Sequence, residues 1–429
     1  MGLIIPLYFL FLFLSVSSGE ISNFVGVNYG QLGNNLPSPK QSVKLVQSLG
    51  AKRVKIYDAN PDILDAFKDT NIQVSVMVPN ELIINISNSQ KLADSWVESK
   101  VVPFYSKTKI RYLLVGNEVI SSSPKEIWPR IVPAIRKIKS SLKTYSLNKI
   151  KVSTSMAMDV LESSFPPSNG TFRSDIADPI VKPLLQFLNR TKSFYFLDVY
   201  PYFPWASDPK NINLDYALFE SRNITYTDPV SYLTYTNLFY QMVDSVVFAM
   251  KRLGYPDIRI FIAETGWPNA GNIDQIGANI YNAATYNRNK PGPGTERNFG
   301  VLYPNGSYVY GIDLSGRTPD SDFEPLPKPD NNEPYKGKIW CMAAGGANAT
   351  ALSSALSYAC SQGNKTCEPI QPGKPCFKPD SLFWHASYAF SSYWSQFKKA
   401  GGSCYFNGLA TQTAKDPSFG HCKFPSVTL

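Results

Sequence analysis

Arg259 to Pro268 reads RIFIAETGWP. A mostly apolar run leads into Glu264, and Thr265, Gly266 and Pro268 then break the strand pattern, which sets a carboxylate where a buried strand meets its loop. Parallel barrels carry their reactive groups at that position. A second stretch, Arg111 to Glu118, reads RYLLVGNE and has the same form: an apolar run, a glycine, then a carboxylate.

Strand-like runs recur on either side. They fall at Phe24–Tyr29, Arg53–Tyr57, Gln73–Val78, Arg111–Asn117, Lys151–Met156, Phe194–Tyr200 and Arg259–Glu264, seven in all. Helical stretches separate them. Ser38 before Pro39, Asn60 before Pro61 and Ser123 before Pro124 each pair a capping side chain with proline at a first helical position, and Gly50 suits a helix end. Strand-helix units repeated over about 290 residues predict an α/β fold, a (β/α)8 TIM-type barrel, which typically takes about 250 residues. A doubly wound open sheet is the rival. It would more usually place a glycine-rich phosphate turn after its first strand, and Gly26, Gly30 and Gly33 lack that spacing.

The 429 residues leave room for two domains, and 43% hydrophobic against 17% charged residues describes a globular protein rather than a disordered one. Leu3 to Val16 is almost purely apolar and is followed by Ser17, Ser18 and Gly19, so residues 1–19 read as a signal peptide that is removed. The run falls short of the about 20 apolar residues that cross a bilayer. No later stretch is long enough to span, and the closing FPSVTL carries no lipid-anchor signal. The expectation is a soluble, secreted protein of the extracellular space or cell wall, acting as a monomer. Seven N-x-Ser/Thr sequons, at Asn85, Asn169, Asn189, Asn223, Asn305, Asn348 and Asn364, read as glycosylation sites in that compartment.

All six cysteines (Cys341, Cys360, Cys367, Cys376, Cys404 and Cys422) lie beyond Trp340. In a secreted chain that pattern predicts three disulfides stapling a small domain. Zinc is the weaker reading, because there is no CxxC pair and His385 and His421 are the only histidines. The net charge of +9 is scattered without a basic run, which favours a solvated basic surface over nucleic-acid binding. Pro319 to Pro334 holds five prolines and five acidic residues and reads as a semi-extended linker. The domain boundaries follow: a barrel over 20–316, a linker over 317–337 and a disulfide-rich domain over 338–429.

Breaking a glycosidic bond requires a proton for the leaving oxygen and help for an oxocarbenium-like centre, so two carboxyl groups in different ionisation states must flank one bond. Glu118 and Glu264 are the candidates. Asn117 can donate to a sugar hydroxyl, and Trp267 offers an apolar face on which a pyranose ring can stack. Tyr200, in DVYPYF, falls at the same rim, and Tyr29 ends the first strand there. Each has a plain structural alternative: a salt bridge or helix cap for the carboxylates, packing for Trp267, burial for Tyr200.

The segments FVGVNYGQLGNNLPSP, IRYLLVGNEV, LDVYPYFPW, FIAETGWPNAG and KPGPGTERNFGVLYPNG occur in that order between Ile21 and Leu314. Together they strongly resemble the plant glucan endo-1,3-β-glucosidases of glycoside hydrolase family 17. The resemblance implies a (β/α) barrel that hydrolyses internal linkages of 1,3-β-glucans with retention, needing no metal and no cofactor. By motif it makes Glu118 the proton donor and Glu264 the nucleophile, with the carboxyls roughly 5–5.5 Å apart as in retaining enzymes. From Ile339 to Cys422 the segments ALSYAC, SYAFSSYW, CYFNGLA and GHC resemble carbohydrate-binding module family 43. That likeness implies 1,3-β-glucan binding and pairs Cys341 with Cys404, Cys360 with Cys367 and Cys376 with Cys422. Tyr388, Tyr393, Trp394 and Phe406 are its candidate stacking aromatics, and at helical spacing they suit a core equally well.

One departure stands out. After Asn279 to Asn289, which resembles the start of a family helix, the family continues through the rest of that helix, a loop and a strand ending in a phenylalanine, asparagine and glutamate cluster before its KPGP motif. Here Lys290 follows at once, and about 30 residues, one strand-helix unit, have no counterpart. A faulty or skipped segment, a non-catalytic binding protein, and a barrel closed by other residues such as Phe299–Tyr303 are the competing explanations.

Overall fold

The computed structural model describes residues 25–32, 36–220, 223–289, 300–303, 305–315 and 317–429. The expected signal peptide, Lys290 and Phe299 lie outside them. Seven strands form one parallel sheet in sequential order: β1 (Gly26–Tyr29), β2 (Arg53–Ile56), β3 (Gln73–Val78), β4 (Ile110–Asn117), β5 (Lys151–Ala157), β6 (Tyr195–Asp198) and β7 (Ile260–Glu264). Helices pack outside, among them α1 (Pro39–Ser48), α2 (Pro61–Ala66), α3 (Gln90–Lys100), α4 (Ile131–Thr144), α5 (Lys182–Thr191), α6 (Leu238–Arg252) and α7 (Ile280–Asn289). The sheet curls into a nearly closed barrel. Among the described residues no ladder joins β7 to β1.

The gap shows in burial. All of β6 is buried, whereas Ile260, Phe261 and Ile262 of β7 are only partly covered. Val301–Tyr303 does not fill it. The amide of Val309 donates to Val301 and that of Tyr303 to Ser307, so this stretch folds on itself. Beside it, Leu314 donates to Leu49 at the end of α1.

Two of the three expected helix caps hold. Gln41 accepts from the Ser38 amide at 3.0 Å, and Asn60 accepts from the Asp62 amide at 3.0 Å. Ser123 does not open a helix; a turn follows it, and its carbonyl accepts from the Trp128 indole at 3.0 Å. Gly50 ends α1 at φ 73°, as its position predicts.

The barrel interior has two levels. At the lower one Tyr112, Phe194, Phe196 and Phe261 pack together, Phe196 stacking on Phe261 with ring centroids 4.4 Å apart. The Arg53 guanidinium lies 4.9 Å from the centre of Phe261. Such ring pairs contribute about 0.5–1.5 kcal/mol each beyond their burial. This aromatic plug lies beneath the polar residues of the upper rim.

The C-terminal domain is a three-stranded antiparallel sheet, β8 (Lys338–Ala343) between β9 (Ala410–Thr413) and β10 (Val427–Thr428), with α8 (Ala349–Ser361) and α9 (Leu382–Phe397). Its disulfides are Cys341–Cys404, Cys360–Cys367 and Cys376–Cys422, the pairing that the resemblance implied. Tyr388 and Trp394 are buried core residues and offer no face to a ligand. Tyr393 and Phe406 are partly exposed, and Phe406 stacks on Phe390 at 4.0 Å.

The linker is docked rather than free. Asn279 donates to Asn331 at 2.7 Å, Asn282 donates to Asn332 at 2.7 Å, and the Gly277 amide donates to the Asn331 carbonyl at 2.7 Å. Composition identifies a segment without a core of its own, but side-chain amides let it bind a neighbour. The next contact joins the domains: Asp274 accepts from Lys398 at 2.7 Å and from Gln412 at 2.8 Å.

Candidate active site

Both carboxylates stand just beyond a strand irregularity. The β4–β5 register shifts between Leu114 and Asn117, and the β7–β6 register shifts between Ile262 and Glu264. Such bulges re-aim the side chains that follow. In β4 the device is Gly116 at φ 81°, followed by Glu118 in the left-handed region at φ 45°, a conformation that is costly for a residue with a Cβ. The Asn117 peptide is clamped by Asn80, which accepts from its amide at 2.8 Å and donates to its carbonyl at 3.0 Å.

A Cβ on Gly116 would stand 2.8 Å from Ile83 Cδ1 and crowd Val119 as well. Gly116→Ala is therefore expected to destabilise the protein by roughly 2–4 kcal/mol through backbone strain and overpacking together. Urea unfolding midpoints measure the loss.

Glu264 is 6% exposed and accepts three hydrogen bonds. Lys55 Nζ donates to Oε1 at 2.5 Å, Tyr57 to Oε1 at 2.7 Å, and Tyr200 to Oε2 at 2.7 Å. Burial works to raise the pKa of this carboxyl, but Lys55 and the two phenols outweigh it and hold the group below its ordinary value. The Tyr200 hydroxyl is pushed upward, by burial first and then by the Glu264 charge, so it remains a donor.

Lys55 also donates to Asn117 Oδ1 at 2.9 Å, and Ser155 donates to the same oxygen at 2.9 Å. Asp198, at the end of β6, lies opposite Glu264 in the ladder and 3.8 Å from Lys55 Nζ.

Of the residues singled out from the sequence, Glu264, Asn117 and Tyr200 thus meet around one lysine. Glu118 is partly buried at the end of β4. Tyr29 ends β1 opposite Ile56, partly buried against the main core. Trp267 corrects the expectation of a sugar platform: it has no exposed surface, its indole donates to the Gly277 carbonyl at 2.8 Å, and Tyr202, Trp205 and Tyr286 enclose it. Adjacency to Glu264 misled because the chain turns inward there. Lys55, Tyr57 and Asp198 were missed. For Lys55 and Asp198 the signal was a charge in the middle or at the end of a strand-like run, in RVKIY and FYFLDVY; Tyr57 gave none.

Two regions of the chain match known families: residues 25–290 match the glycosyl hydrolases family 17, and residues 339–411 match the X8 domain. A probable glucan endo-1,3-beta-glucosidase A6 of Arabidopsis thaliana is 48% identical over 443 residues, covering 96% of this chain and 92% of the relative. That alignment is longer than the 429-residue chain, so the relative carries residues that have no counterpart here. A glucan endo-1,3-beta-D-glucosidase of Olea europaea is 33% identical, covering 98% and 97%. Among solved structures, CJP38, a beta-1,3-glucanase and allergen of Cryptomeria japonica pollen, superposes with a TM-score of 0.62 at 38% identity over 68% of this chain and 98% of its own. With the rim carboxylates, the parallel barrel and these matches in agreement, the chain belongs to glycosyl hydrolase family 17.

Proposed function

We propose that the protein is a secreted endo-hydrolase of 1,3-β-glucosidic linkages in glucans of the callose or laminarin type, acting by double displacement with retention. The observation that carries this reading is Glu264, ionised beside Lys55 and gripped by two phenols, which is the state a glycosyl-accepting carboxylate requires. Glu264 attacks the anomeric carbon while Glu118 protonates the departing oxygen; Glu118 then takes a proton from the water that opens the ester. Asn117, its carbonyl oxygen held by Lys55 and Ser155, presents its amide to a sugar hydroxyl.

Tyr200→Phe deletes a hydrogen bond to a charged carboxylate, an interaction of about 1.5–3 kcal/mol. The expected result is a fall in kcat/KM of roughly 10- to 150-fold, with the fold retained on circular dichroism.

Three disulfides and seven sequon asparagines that are all exposed support a secretory route, with residues 1–19 as the signal peptide and the C-terminal domain as a glucan-binding module. The experiment is release of reducing ends from linear 1,3-β-glucan against a Glu264→Ala control. Release no greater than the control would overturn hydrolysis. Retention on insoluble glucan without release would instead establish a binding-only protein, the reading favoured by the lack, among the described residues, of a strand that pairs with the outer edge of β7.

A further inference from the structure

Asp198 has no place in the two-carboxylate mechanism, and its surroundings are unusual. It is 1% exposed, and among the described residues neither carboxyl oxygen accepts a hydrogen bond of good geometry; the Ser155 hydroxyl, which donates to Asn117, is the smallest of the influences on it. It stands directly opposite Glu264 on the neighbouring parallel strand, and Lys55 Nζ, 3.8 Å away, already donates to Glu264 and Asn117. The other titratable groups around it are Glu118 from the end of β4 and two phenols, Tyr195 on its own strand and Tyr200 just beyond. One cation therefore faces two buried carboxyls on adjacent strands. Ionising both would leave an uncompensated charge on side chains that are almost fully buried. Burial raises the Asp198 carboxyl well above its ordinary range, Lys55 pulls against it, and Glu264 and Glu118 push it further up.

We propose that Asp198 is the charge-balancing carboxyl of the site: it carries a proton while Glu264 is ionised, releases it when Glu264 becomes a glycosyl ester, and replaces Glu264 as counter-ion of Lys55. The inference rests on Glu264 being the nucleophile. In the first half-reaction the bond from the anomeric carbon to the leaving oxygen breaks, Glu118 passes its proton to that oxygen, and Glu264 forms an ester bond to the carbon. Glu264 loses its charge and Lys55 loses its partner. The Asp198 proton then passes to solvent water, and its carboxylate pairs with the lysine. When water opens the ester with Glu118 as base, Glu264 is an anion again and Asp198 regains one proton from solvent. Atoms and charges are restored in each cycle. Asp198 is thus a positioning residue that keeps Lys55 balanced in both halves of the reaction.

The test compares wild type with Asp198→Asn when the glycosyl-enzyme is trapped by a 2-deoxy-2-fluoro laminaribiosyl fluoride, at the pH of maximal activity. Mass spectrometry locates the adduct, and an indicator dye counts the protons released per adduct. The expected result is an adduct on Glu264 in both proteins, with wild type releasing about one proton more than the variant, since the chemistry common to both cancels. Equal release with the adduct in place would overturn the role of Asp198 and leave the hydrolytic reading standing. Absence of any adduct on Glu264 in wild type would overturn the nucleophile assignment, and this inference with it. Should Asp198→Asn fail to fold, infrared difference spectra of wild type labelled with 13C-aspartate read the same event. Loss of a protonated carboxyl band on trapping supports the proposal, and an unchanged spectrum overturns it. Stability adds a second readout. A folded-state pKa raised above the unfolded value contributes stability that is present below the unfolded pKa and lost as pH rises through the folded one. Wild type should therefore lose more stability than Asp198→Asn on the alkaline side.

Discussion

Glu264→Gln lowers turnover of linear 1,3-β-glucan by about 10⁴-fold or more, the scale on which loss of one essential reacting group acts. The variant keeps the volume of the side chain and removes the charge that Lys55, Tyr57 and Tyr200 converge on. Substrate affinity should change little, because the amide still fills the site and the C-terminal domain is untouched. Initial rates of reducing-end release, set beside binding to insoluble glucan, separate the two quantities. Adding formate to Glu264→Ala supplies a small carboxylate at the vacated position, and partial recovery of rate identifies the lost group as the nucleophile rather than a structural acid.

Lys55→Met is the second large effect, and it acts through Glu264. The lysine is 5% exposed and pairs with a carboxylate that is 6% exposed. Removing one partner of a buried pair leaves the other uncompensated, which typically costs 3–5 kcal/mol. Part of that penalty is avoided if Glu264 takes up a proton, because burial then acts on it without the opposing cation. The sign is fixed: in wild type the Glu264 pKa is depressed, so its stabilisation is present above the unfolded value and lost as pH falls through the folded one. In Lys55→Met that acid-side loss moves to higher pH, and the acidic limb of kcat/KM moves with it. Thermal unfolding and a pH–rate profile measured on the same preparation check both statements. An unchanged acidic limb would show that the lysine does not set the charge of Glu264.

Much of the fold was legible because its signals are local. Each of the seven strands appears within two residues of its expected limits, since buried parallel strands are short apolar runs bounded by breakers. The two carboxylates were legible for the same reason: each interrupts such a run at its end. Two of the three partners of Glu264 were not, because Lys55 and Tyr57 come from β2 and its end and are more than 200 residues away in sequence. Curvature brings them together, and no local pattern encodes it. Trp267 and Ser123 show the converse limit. Both sit in suggestive neighbourhoods, and in both the chain path decided the role: Trp267 turns into the core, and Ser123 precedes a turn instead of a helix.

The asparagine contacts of the linker and the grip of Asp274 on Lys398 and Gln412 fasten the C-terminal domain to the loop that leaves β7. A module on a loose tether searches a volume and favours any chain within reach. A fastened one concentrates only those chains whose path runs from its own surface into the cleft, and the advantage falls towards zero for any other geometry. Reach is exchanged for direction. Stiff, ordered glucan should therefore benefit from the second domain far more than short soluble oligosaccharides, which are too small to be held at both ends.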